Sequence, residues 1–154
     1  MHDDAVIRRV TQADLDSLIA LMAEHADYER APFDRPDAPS LATALFAEPP
    51  RLFGWIADVA GRCVGYASAS REISTWRAAD FLHLDCLFVR EAARNGGIGK
   101  HLLQAAIEEA RRQKIDHLEW QTPAWNEDAI RFYRRQGASH ANKVRFRLTL
   151  RNQP

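Results

Sequence analysis

Apolar and polar positions change their spacing several times along the chain, and each change marks an element. A short β-branched run over 5–10 predicts a first strand, and Thr11 with Asp14 three residues on predicts a capping box that opens a helix. Leu15, Leu18, Ile19, Leu21 and Met22 follow at helical spacing. Pro32, Pro36 and Pro39 exclude a continuous helix over 31–40, so a loop, a candidate lip for a substrate, precedes a short helix through Leu41, Leu45 and Phe46.

From Leu52 the period shortens to two. Residues 53–59 and 63–69, separated by Ala60-Gly61-Arg62, predict a β-hairpin, and 81–89 completes a second strand pair. Strict alternation along that strand puts Leu82, Leu84, Cys86 and Phe88 on one apolar face. Phe81, His83, Asp85, Leu87 and Val89 then share the other, unless a β-bulge intervenes.

The run Arg94-Asn95-Gly96-Gly97-Ile98-Gly99-Lys100 follows, and then a helix over 98–112 with Leu103, Ala106, Ile107 and Ala110 on its apolar stripe. Lys100, Gln104, Glu108 and Arg111 face solvent. Residues 115–121 predict a further strand. Asn126, with Trp125 before it and Ile130 after it, predicts an N-cap within a hydrophobic staple, and Gly137 ends that helix. Val144, Phe146, Leu148 and Leu150 alternate with Arg145, Arg147 and Thr149, which predicts a half-buried terminal strand. The order β-α-α-β-β-β-α-β-α-β is that of a mixed α/β domain.

Composition narrows the function classes. A chain of 154 residues suits one domain, and 21 basic against 21 acidic side chains leave no overall field toward nucleic acid or an anionic membrane. Neither is expected as a partner. The two cysteines, Cys63 and Cys86, lie in apolar runs without disulfide-framework or zinc-ligand spacing, so buried thiols and no metal are expected. An acidic start and the lack of a long apolar stretch point to a soluble, reduced, cytoplasmic protein.

The glycine run carries the first chemical signal. A turn without side chains at Gly96, Gly97 and Gly99 lets backbone N–H groups approach an anion, and the following helix adds its unpaired donors and its dipole. A phosphorylated ligand follows. Arg94 can add a charge-assisted contact, and Lys100, a cation that opposes the dipole, gains from an anion nearby.

Two motifs in this order resemble those of a known family. Arg94-x-x-Gly97-x-Gly99 is similar to the pyrophosphate-binding pattern of the GNAT superfamily of acyl-CoA N-acyltransferases, and Trp125-Asn126-x-x-Ala129-Ile130-x-Phe132-Tyr133-x-x-x-Gly137-Ala138 to its second cofactor segment. The resemblance spans nearly the whole chain. It implies one N-acetyltransferase domain over 1–154, with a mixed, mostly antiparallel central sheet flanked by helices.

Within the superfamily the chain resembles the diamine, spermidine/spermine and thialysine acetyltransferases through Tyr28-Glu29, Ser74-Thr75-Trp76, Leu87-Phe88-Val89 and Trp125-Asn126. It departs from them in one stretch. Where those relatives carry Tyr-Leu-Glu-Asp, this chain has His83-Leu84-Asp85-Cys86, so one carboxylate is shortened and its neighbour lost. That weakens the case for a polyamine and leaves a smaller amine.

The resemblance implies acetyl-CoA as donor, with CoA as product. Its pantetheine would lie against the backbone of Leu87 and Val89, and its pyrophosphate against Arg94, Asn95, Gly96, Gly97, Ile98, Gly99 and Lys100. Asn126 would cap its helix and approach the cofactor, as would Tyr133. Tyr133 would also be catalytic, because a phenol with a reference pKa of about 10 can protonate a departing thiolate of about 8.5.

Asp85 would handle the acceptor's proton. An alkylammonium with a pKa of about 10.4 leaves on the order of one molecule in a thousand neutral at pH 7, and an aspartate is a weak base, so a water relay or electrostatic positioning is implied. His83 is a partner or replacement base. Tyr28, Glu29 and Trp76 would line the acceptor pocket, Glu29 attracting the cation and the aromatics flanking it. The expected function is acetyl transfer to a primary amine of a small molecule by direct attack in a ternary complex, with a diamine- or polyamine-like acceptor favoured by the resemblance. Alternatives are an aminoglycoside, an amino-acid-like compound or a protein amine as acceptor, or a non-catalytic acyl-CoA-binding module. A homodimer is expected, with the terminal strand or Phe53-Gly54-Trp55 as interface.

Overall fold

Thr11 and Asp14 start the first helix in the computed structural model, which describes residues 4–151. The backbone N–H and the hydroxyl of Thr11 donate to one Asp14 oxygen at 2.7 and 2.9 Å. Arg8 clamps the same carboxylate at 2.7 and 2.9 Å and reaches Asp58 at 3.2 Å. This guanidinium holds the Asp14 carboxyl well below the usual range, against the opposing effect of burial.

The chain divides after Gln121 into two compact units. The first contains β1 (Ala5–Arg9), α1 (Leu15–Tyr28), α2 (Ala38–Phe46), β2 (Phe53–Val59), β3 (Arg62–Ser74), β4 (Ala79–Val89), α3 (Ile98–Arg112) and β5 (Leu118–Glu119). Its five-stranded sheet runs β1-β2-β3-β4-β5, antiparallel throughout except for the parallel β4–β5 pair. Helix α2 starts earlier than the proline run implies: Asp37 caps Ser40 N at 2.8 Å, and Pro39 fits the first turn, where its missing N–H costs nothing.

Two apolar layers cover the sheet. On one side α3 packs Ile98, Leu102, Leu103, Ala106 and Ala110 against Phe53, Trp55, Ala67, Leu82 and Leu84. On the other, α1 and α2 pack Leu15, Leu18, Ile19, Leu21, Leu41 and Leu45 against Ile56, Tyr66 and Phe88. Leu102, fully buried, replaces the half-buried Ile107 at the centre of the predicted α3 stripe. Phe53 and Trp55 are core residues of an interior strand, so they do not form the expected interface. Cys63 and Cys86 are free and only partly buried.

The second unit holds α4 (Glu127–Arg135). Gly137 ends it as predicted, at φ +93°, with Ala138 N bonded to Tyr133 O and Gly137 N to Arg134 O, the two bonds of a Schellman cap. The expected terminal strand is not formed. Val144, Phe146, Leu148 and Leu150 are 79, 91, 72 and 71 % exposed, in backbone that joins no strand among the described residues. Alternation supplies a face, and a strand also needs a ladder partner, which 144–150 lacks among the described residues.

Candidate functional site

One residue of β4 carries no partner on β3, and it is Asp85. Pairing passes from Ala69↔Leu84 to Ser68↔Cys86, so Asp85 is the extra residue of a β-bulge. The consequence corrects the simple alternation. Before the bulge Leu82 and Leu84 face α3; after it Leu87 and Val89 do, while Cys86 and Phe88 turn toward α1. The predicted all-even apolar face is therefore split between the two layers. Asp85 itself is thrust outward, its side chain 55 % exposed, with His83 Nε2 3.5 Å from its Oδ1.

The two strands at this edge diverge. Strand β5 is only Leu118–Glu119 and pairs with Leu82 and His83 alone, far shorter than the predicted 115–121. Among the described residues β4 has no strand beside it on that side from Leu84 to Val89. A gap of this kind exposes backbone hydrogen-bonding groups to a ligand.

At the end of β4 the glycine run turns into α3. Gly97 is the N-cap at φ +84°, a conformation that costs an L side chain roughly 1–2 kcal/mol, and Asn95 precedes it at φ +69°. No side chain caps α3, and no acidic residue lies in its first turn. Lys100 is exposed there instead. A helix start with free amides, a local cation and no carboxylate fits an anion such as a pyrophosphate. A Cβ at Gly97 would meet only His101 Cε1, at 3.9 Å, so the space beside the turn is open. Ile98 is buried and serves the core with its side chain.

The Arg94 side chain makes contacts of its own within the protein. Its Nε donates to Val89 O at 2.8 Å, and its guanidinium lies 4.5 Å from the centre of the Tyr28 ring and 5.7 Å from Phe88. It thereby ties the glycine turn to the end of α1.

Helix α1 brings Tyr28 and Glu29 to the same neighbourhood. His25 Nε2 lies 2.9 Å from Glu29 Oε2, and its Nδ1 lies 2.8 Å from Tyr66 Oη. Burial and then Cys86 hold the Tyr66 hydroxyl protonated, and the charges of Asp85 and Glu29 add to this. His25 and Tyr66 were not among the sequence candidates. Their 41-residue separation gives no motif, and only the packing of α1 on β3 brings them together.

Trp76 is not brought to this cluster. It stands at the β3–β4 hairpin tip, 99 % exposed, and six residues of strand from the Ala79 end to Asp85 span roughly 20 Å.

In the second unit Asn126 caps α4 as predicted, accepting from Ala129 N at 3.3 Å and donating to Thr122 Oγ1 at 3.5 Å. It is buried. Tyr133 lies on the same helix, its ring 5.2 Å from that of Phe132.

Residues 18–138 match the acetyltransferase (GNAT) family. The chain is 29 % identical over 126 residues to thialysine N-epsilon-acetyltransferase of Caenorhabditis elegans, covering 80 % of this chain and 76 % of that one. It is 22 % identical over 136 residues to the D-amino-acid N-acetyltransferase of Saccharomyces cerevisiae, covering 86 and 84 %. A crystal structure of an aminoglycoside acetyltransferase from an uncultured soil metagenomic sample superposes with a TM-score of 0.81 at 22 % identity, over 97 % of this chain and 98 % of that one.

Proposed function

Since this chain belongs to the acetyltransferase (GNAT) family, we propose that its acceptor is the primary amine of a small diamine-like molecule. The chain is an acetyl-CoA-dependent N-acetyltransferase with the mixed, mostly antiparallel sheet of that family. Acetyl-CoA supplies an activated thioester; the chain's own residues bind, orient and move protons.

The observation that carries the acceptor reading is that His25 joins Glu29 to the Tyr66 hydroxyl, at 2.9 and 2.8 Å, while Asp85 stands 3.8 Å from the sulfur of Cys86. The two carboxylates attract an ammonium, and Tyr28, held under Arg94, gives its carbon chain an aromatic wall. Asp85, with His83 beside it, orients the amine and passes its proton to water. The amides from Asn95 to Lys100 hold the donor's pyrophosphate, and the backbone of Leu87 and Val89 its pantetheine. Tyr133 keeps a proton on its phenol oxygen for the departing sulfur, and Asn126 fixes the start of the helix that carries it. Attack is direct, without an acetylated cysteine, and the two compact units work as one domain.

The relative named for thialysine supports an amino-acid-like diamine, and the smaller acid count of His83-Leu84-Asp85-Cys86 supports a short acceptor over a polyamine. The test is release of free CoA thiol with a panel of thialysine, L-ornithine, 1,3-diaminopropane, spermidine, an aminoglycoside and a lysine peptide. Short diamines should give the highest kcat/KM. Turnover confined to the aminoglycoside or the peptide refutes the acceptor, and CoA binding without any transfer identifies a binding module.

A further inference from the structure

His25 is a partly buried titratable group to which the roles above assign nothing. It lies in the last turn of α1 with 12 % of its side chain exposed. Its ring stacks on Phe88 at 5.1 Å and 18°, and meets Tyr66 edge-on at 5.7 Å. Pinned by two rings and two hydrogen bonds, it presents Nε2 in one direction only.

Both protonation states of the ring serve the same end. The neutral ring accepts from Tyr66 at Nδ1 and donates from Nε2; the imidazolium donates from both nitrogens and leaves the Tyr66 hydroxyl to Cys86. In each state Glu29 receives a proton donor. The charged form is favoured: burial acts against it, but Cys86 and Glu29 outweigh burial and push the pKa up to about 9. A cation also suits the C-terminal end of a helix, whereas a carboxylate there is opposed by the dipole. Glu29 is the C-cap of α1, so without His25 it would turn toward water.

We propose that His25 is a positioning residue for the amine acceptor: anchored on Phe88 and Tyr66, it fixes the Glu29 carboxylate that meets the acceptor's ammonium. This rests on the reading of Glu29 as an acceptor residue. The groups facing His25 are Glu29 of its own helix, Tyr66 of β3, and Cys86 of β4 with Asp85 next to it. Removing the imidazole therefore leaves Cys86 and Tyr66 to fill its place, and neither can direct Glu29.

The experiment is steady-state kinetics of acetyl transfer to the panel amine with the highest kcat/KM. His25→Leu should raise the acceptor KM about tenfold or more while the acetyl-CoA KM stays within about twofold. His25→Gln, whose amide reaches the position of Nε2, should return the acceptor KM to within about threefold of wild type. Glu29→Gln should raise the acceptor KM by itself, and adding His25→Gln or His25→Leu to it should cost nothing further. A full effect of Glu29→Gln with additive His25 variants overturns the positioning role and leaves the acceptor reading intact. No effect of Glu29→Gln overturns the acceptor reading itself, and a panel without a substrate removes both. If His25→Leu does not fold, His25→Gln and its double variant decide alone.

Discussion

Substituting Gly97 separates what the glycine turn does for the fold from what it does for the ligand. At φ +84° an alanine pays roughly 1–2 kcal/mol in left-handed strain and regains about 0.4–1 kcal/mol by restricting the unfolded chain. Gly97→Ala should thus cost about 1 kcal/mol, or about 2–4 °C in Tm at this chain length. Gly61 provides the control. It holds φ +81° in the β2–β3 turn with nothing within 4 Å of a built Cβ, so Gly61→Ala should lose the same stability. The two differ in front of the cradle. A methyl beside the open α3 start displaces an anion from the amides, and losing one charge-assisted bond of about 1.5–3 kcal/mol weakens CoA roughly ten- to a hundredfold. Calorimetric titration with CoA reads this directly. Gly97→Asn, which tolerates left-handed backbone better, should recover stability and still bind weakly. If Gly97→Ala and Gly61→Ala lose equal Tm and both bind CoA like wild type, the pyrophosphate does not lie on these amides.

Tyr133→Phe should lower turnover by roughly one to three orders of magnitude with CoA affinity unchanged; wild-type turnover on every substrate removes its acid role. Asp14→Asn, measured by thermal unfolding at pH 7, should cost about 1–3 kcal/mol by breaking the Arg8 and Thr11 bonds. Since the folded pKa of Asp14 lies below its ordinary value of 3.8, this contribution is complete above about pH 5 and is lost as the pH falls below 4. The Tm gap between wild type and Asp14→Asn should therefore narrow in acid; a gap that widens refutes the assignment. Gly65→Ala puts a Cβ 2.8 Å from the backbone oxygen of Phe88, so its denaturant midpoint should fall by the equivalent of about 1–3 kcal/mol, and an unchanged midpoint contradicts the close β3–β4 approach.

Much of the frame was legible because it rests on local signals. The Thr11–Asp14 box, the Asn126 cap and the Gly137 stop each involve residues within five positions of one another, and all three form as their spacing predicts. What was not legible depends on pairing at a distance. Parity could not locate the bulge at Asp85, since it depends on the register between β3 and β4. The alternation of Val144, Phe146, Leu148 and Leu150 promised a strand that has no ladder among the described residues. The site candidates divide likewise: Asp85 and Glu29 were named from their motifs, whereas the imidazole and phenol that link to Glu29 emerge only once α1 lies on the sheet.

The unpaired residue in β4 also constrains how this protein can be recombined with others. Fragments exchanged upstream of residue 85 bring side chains built for the α3 layer at even positions, and fragments exchanged downstream bring them at odd ones. A chimera whose donor strand lacks the extra residue would shift every later position by one, moving Phe88 out of the α1 layer and Val89 into it. Shuffling or loop-grafting on this scaffold therefore tolerates a crossover inside β4 only between parents that share the insertion.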